Sequence, residues 1–98
     1  ILVPFINKLD ISALYNAKIN YNPKTETQIE HSFHIDTSSS CTTSIYYLNT
    51  NNGYTLFEDG TKVKSVENRM VLFPSNLYHT GTTCSDKQGR IILNINYF

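Results

Sequence analysis

From Ala13 onward the chain alternates apolar and polar residues in short stretches, each closed by proline, glycine or asparagine, and this rhythm limits the fold more than any other feature. Ala13, Tyr15, Ala17, Ile19 and Tyr21 fall on one side of an extended backbone, with Leu14, Asn16, Lys18, Asn20 and Asn22 on the other. Side chains that alternate in this way belong to strands, because successive residues of a strand point to opposite faces. Pro23 cannot donate to a sheet ladder and ends the stretch. Similar segments follow at 26–36, 42–48, 54–57, 62–66, 69–73, 77–83 and 89–97, with turns at Asn51-Asn52-Gly53 and Asp59-Gly60. Only 4–10 reads as a short helical lead-in. About eight strands with little room for helix define an all-β domain, and an antiparallel jelly roll (a double-stranded β-helix, cupin-like) fits best. The 98 residues make one domain, a lead-in at 1–12 and a barrel at 13–98.

Composition narrows the function. Lys plus Arg equals Asp plus Glu, so no basic stripe signals nucleic acid. No apolar run approaches the ~20 residues of a membrane span. Cys41 and Cys84 are too few for a disulfide framework and read as free thiols of a reducing compartment, hence a cytoplasmic protein. Homo-oligomerisation is left open.

The faces of two segments carry the chemistry. In 26–36, Gln28, Glu30, Ser32, His34 and Asp36 share one face; in the last segment Arg90, Ile92, Asn94 and Asn96 share one. Polar faces turned into a barrel need partners, which marks a site. The opposite face of the last segment, Ile91, Leu93, Ile95 and Tyr97, is apolar and must be covered. A dozen N-terminal residues are too few for that, so flanking helices or a partner chain are expected.

His34-Ile35-Asp36 sets two ligands on one side of a strand, and His79 lies on a late strand. Two imidazoles and one carboxylate leave part of a metal's coordination sphere open, the arrangement of non-haem Fe(II) oxygenases. Hydrogen bonds to the other imidazole nitrogens are expected to fix both tautomers. Arg90 opens the final strand on its polar face, and its planar fork suits a carboxylate. That carboxylate is either internal, with Glu30 the candidate, or a bound dicarboxylic acid. His31 falls on the other face from His34 and reads as structural, and Cys84 as incidental.

The series HSFHID, GYTLFEDG, NRMVLFPSNLYHTG and GRIILNINYF resembles the 2-oxoglutarate/Fe(II)-dependent dioxygenases, nearest their compact, prolyl-hydroxylase-like members. The resemblance implies Fe(II) held by His34, Asp36 and His79, and 2-oxoglutarate gripped at its far carboxylate by Arg90. The family adds a hydroxyl to that carboxylate, in some members a Ser two residues after the Arg. Ile92 stands there, so Tyr46 is the first choice for the hydroxyl and Tyr21 the second. Asn94 is expected to line the site near the metal. The implied activity is hydroxylation of an unidentified organic substrate with O₂, releasing succinate and CO₂. The alternative is a cupin-like metal-binding module without 2-oxoglutarate turnover.

Overall fold

A computed structural model describes residues 14–38 and 40–98; the expected helical lead-in lies outside them. Seven strands form: β1 (Leu14–Pro23), β2 (Thr42–Tyr47), β3 (Tyr54–Phe57), β4 (Lys62–Lys64), β5 (Met70–Pro74), β6 (His79–Gly81) and β7 (Gly89–Tyr97). They make two antiparallel sheets, ordered β1-β7-β2-β5 and β4-β3-β6. No helix among the described residues is long and apolar enough to cross a membrane.

The segment 26–36, expected as the second strand, forms no continuous ladder but runs beside β6 and the residues after it, through the bridges Glu30↔Thr82 and His34↔His79 and backbone bonds such as His31 N–H to Gly81 O at 3.1 Å. Side chains supplement this interrupted ladder. The Ile29 amide donates to Thr83 Oγ1 at 2.8 Å, and the Gln28 amide donates to the carbonyls of Asn52 and Thr83 at 2.7 and 3.1 Å. Side-chain partners of this kind compete with regular pairing. The segment nonetheless occupies the edge beside β6. Counted there, each sheet holds four extended stretches and the chain crosses between them as in a jelly roll.

Register fixes which faces turn inward. Arg90, Ile92, Asn94 and Asn96 of β7 pair with Asn22, Asn20, Lys18 and Asn16 of β1. Ile92 packs with Ile45, Tyr47, Phe57 and Phe73 in a core between the sheets. Leu93, Ile95 and Tyr97 form a second cluster with Ala17 and Tyr46 on the other side of the same sheet. The apolar face of β7, expected to need cover from flanking helices or a partner chain, is mostly but not wholly buried. Leu93, Ile95 and Tyr97 are buried, Ile91 is half-buried, and the exposure falls on neighbouring strands, with Ile19 at 61 % and Leu72 also open.

Candidate metal centre

His34 and His79 are brought face to face because their backbones exchange hydrogen bonds, His34 N–H to His79 O at 2.8 Å and His79 N–H to His34 O at 2.9 Å. Residues paired across a ladder project to the same side, so the two rings lie with centroids 4.5 Å apart. The Asp36 amide donates to Ser75 O at 3.1 Å, which folds the third group toward them. One ligand atom from each of the three lies within 4.8 Å of the others. His79 is 3 % exposed and packed against the Phe73 ring, whereas His34 is 55 % exposed at the mouth.

The donor atoms are oriented for a cation. His79 Nδ1 lies 2.9 Å from Leu77 O, and His34 Nδ1 lies 3.5 Å from Ser32 O. With the ring protons on Nδ1, both Nε2 lone pairs face the same carboxylate oxygen, Asp36 Oδ1, at 3.2 and 3.5 Å. Two lone pairs aimed at an anionic oxygen repel unless a positive species sits among them, so this donor set fits a divalent metal. Asp36 Oδ2 is held by Asn94 Nδ2 at 3.2 Å and Thr43 Oγ1 at 3.4 Å. Burial raises the Asp36 pKa, but His79, where the metal-free site turns a shared proton rather than a lone pair toward Oδ1, outweighs it together with the Asn94 amide and His34. The carboxyl is held below its usual range, ionised and ready to ligate.

Arg90 is 2 % exposed. It shares a cavity of about 410 Å³ with His34, His79, Thr55 and Asn94. Its Nε donates to Ser65 Oγ at 2.9 Å and its NH2 to Thr55 Oγ1 at 3.2 Å, beneath the Tyr47 ring. Among the described residues no carboxylate pairs with it. Glu30, the internal candidate, is exposed and accepts from Tyr54 Oη at 2.7 Å instead. Burial lowers the Arg90 pKa, with Tyr47 and Cys84 opposing. The long side chain fits because its neighbours lack side chains: a Cβ on Gly53 would stand 2.5 Å from Arg90 Cδ, and one on Gly81 3.1 Å from NH1.

Not every expected residue gathers here. Tyr46, the first choice for the hydroxyl beside Arg90, lies on the outer face of β2 and bonds Asn68. Tyr21 borders the cavity, but it is exposed and donates to Gln88 O at 3.2 Å. Tyr47, one residue along from Tyr46, is the inward tyrosine, with its hydroxyl 2.6 Å from Thr55 Oγ1. Thr55 and Ser65, which no motif had singled out, supply the hydroxyls on Arg90. His31 is exposed and borders the cavity rather than packing away from it, because the irregular 26–36 segment breaks strict alternation. Asn94 sits beside the triad, as its face implied.

No protein-family profile and no curated protein sequence matches the chain. Solved structures do resemble it. An RmlC-like cupin protein from Desulfovibrio desulfuricans superposes with a TM-score of 0.60 at 15 % identity, over 86 % of this chain and 77 % of its own. A Neisseria meningitidis protein gives 0.60 at 13 %, over 87 % and 81 %. A Pseudomonas putida prolyl-4-hydroxylase gives 0.60 at 15 %, over 97 % of this chain and 59 % of its own. The protein therefore has a cupin-type jelly-roll fold. Within that fold, His34, Asp36 and His79 form a cluster suited to a metal ion.

Proposed function

We propose that this protein is an Fe(II)- and 2-oxoglutarate-dependent oxygenase that hydroxylates an organic substrate. The observation that carries the reading is Arg90: a buried guanidinium, with no carboxylate partner among the described residues, in the same cavity as the two histidines. A buried cation held only by neutral hydroxyls is costly, and an entering carboxylate relieves the cost. A metal-binding barrel without a co-substrate has no need of it.

When bound, iron and 2-oxoglutarate supply the activation of O₂ for C–H hydroxylation, with succinate and CO₂ as by-products. The chain's residues do the rest. His34, Asp36 and His79 would hold the iron. Asn94 and Thr43 occupy Asp36 Oδ2 and leave Oδ1 toward the histidines. Leu77 O keeps the His79 proton on Nδ1. Phe57 and Phe73 pack near His79 and exclude water from that side. Arg90, with the Thr55 and Tyr47 hydroxyls behind it, would receive the far carboxylate of 2-oxoglutarate.

The test is anaerobic addition of Fe(II) and 2-oxoglutarate, read by the weak visible charge-transfer band of the chelate. The band is expected in the wild type and absent from Asp36→Ala. Metal binding without a band would leave a metal-binding cupin and remove the oxygenase reading.

A further inference from the structure

A second cavity, of about 220 Å³, lies on the β1 side of the triad. His34 and Asp36 border it directly, so anything bound there lies beside the metal ligands. It shares Asn20, His34 and Asn94 with the Arg90 cavity and adds walls of its own. Asn16, Lys18 and Asn20 come from β1, Asn94 and Asn96 from β7, and Ile35 is the lone apolar side chain. Register explains the grouping: Asn16 faces Asn96 and Lys18 faces Asn94 across the β1–β7 ladder, so all four project to one side.

These groups are incompletely used. Lys18 is exposed and makes no ion pair, and the side-chain amides of Asn16 and Asn20 make no hydrogen bond, among the described residues. Asn94 is 7 % exposed and borders both cavities, and its Oδ1 is buried without a partner. A buried amide oxygen of this kind calls for a donor.

We infer that this cavity is the subsite for the primary substrate, and that the substrate is a small polar anion of about amino-acid size. The inference deepens the proposed function and rests on it. Free amides offer both donors and acceptors, so they match a ligand rich in hydroxyl, amino or amide groups. Lys18 is the one cation in the walls and selects a negative group, carboxylate or phosphate. The volume corresponds to about seven water molecules, enough for an amino acid or a hydroxy acid. An uncharged apolar ring would strand the amides and leave Lys18 unpaired, which disfavours it.

The experiment is calorimetric titration of the Co(II)-loaded chain with L-glutamate, L-aspartate, D-gluconate and glucose 6-phosphate, and with N-acetylprolinamide as a neutral control. It is run on the wild type and on Arg90→Met, which removes the other cation beside the site. At least one anion is expected to bind both proteins and the neutral control neither. Lys18→Ala and Lys18→Glu, at an exposed position that tolerates change, are expected to weaken that binding by roughly tenfold or more. Which probe binds tells carboxylate from phosphate. The inference is overturned if no anion binds, if binding ignores Lys18, or if N-acetylprolinamide binds as tightly. A charge-transfer band without anion binding refutes this inference alone, and Lys18-dependent binding without the band refutes only the co-substrate reading.

Discussion

Replacing Arg90 with methionine separates the needs of the fold from those of the site. Methionine keeps much of the length of the side chain and removes the charge. In the free protein the guanidinium is buried and, among the described residues, hydrogen-bonded to the Ser65 and Thr55 hydroxyls beneath the Tyr47 ring. Replacing even a buried ion pair by apolar groups of similar volume is often neutral or stabilising by about 1–4 kcal/mol, and a buried cation without a counter-charge has less to lose. Losing the two hydrogen bonds offsets part of that, at about 1 kcal/mol each. The net expectation for Arg90→Met without ligands is a gain on the order of 1 kcal/mol, or about 4–8 °C in melting temperature for a domain of this size. Binding should move the other way. A charge-assisted contact whose surviving partner is left unpaired contributes about 2–4 kcal/mol, so 2-oxoglutarate affinity should fall roughly thirty- to a thousandfold. Arg90→Lys should recover only part of it, since the fork geometry is lost. Thermal melts of the free variants and anaerobic 2-oxoglutarate titrations measure the two halves. Unchanged affinity, or a methionine variant that melts below the wild type, would refute the argument that this cation is kept for a ligand.

Other perturbations test the surroundings. Tyr47→Phe should weaken 2-oxoglutarate binding severalfold while Tyr46→Phe leaves it unchanged, because only Tyr47 reaches the Thr55–Arg90 cluster; the same titration reads both. Gly53→Ala would place a methyl 2.5 Å from Arg90 Cδ and 2.7 Å from Asn51 Oδ1, and overpacking of this kind should cost about 1–3 kcal/mol in urea unfolding. Divalent metal at a hundredfold excess over its dissociation constant should stabilise the fold by about 2.7 kcal/mol, an increment that chelators reverse and that Asp36→Ala lacks in calorimetric melts.

The alternation of β7 was legible because it is long and uniform: Arg90, Ile92, Asn94 and Asn96 do face inward, and the opposite residues outward. The approach of His34, Asp36 and His79 was legible from the motif, since His-x-Asp shares a face wherever the backbone is extended, even in a segment as irregular as 26–36. Two things were not. In β2 both Tyr46 and Tyr47 are tyrosines, so residue type gives no clue to which one turns inward. Only the pairing of Tyr47 with Ile92 settles it, and that register is a tertiary fact. In 26–36 the ladder is broken into isolated bridges, with Thr83 Oγ1 accepting the Ile29 N–H, so counting residues by twos did not foresee that His31 borders the cavity. The hydroxyls of Thr55 and Ser65 escaped because threonine and serine are common in strands and turns, and nothing local marks the ones that meet Arg90.

The distribution of apolar surface follows from the same inward polar face. A barrel that turns Arg90, Asn94 and Asn96 into its interior, with the polar side of β1 beside them, has fewer positions left for a core between the sheets. That core is correspondingly small, built on Ile45, Tyr47, Phe57, Phe73 and Ile92. Ala17, Ile19 and Tyr21 of β1 and the apolar residues of β7 other than Ile92 lie on the outside of the larger sheet, where Leu93, Ile95 and Tyr97 make a second cluster and Ile19 and Tyr21 stay exposed. Burial contributes stability in proportion to area on either face, so the sheet can be held from outside while its inside is given to chemistry. Polar substitutions at Leu93 or Ile95 are therefore expected to lower stability without altering metal affinity. The converse holds at Asn94, whose amide touches Asp36 directly: Asn94→Leu should weaken metal binding more than it weakens the fold. Equal loss of stability and metal affinity at both positions would show that the two faces are not separable.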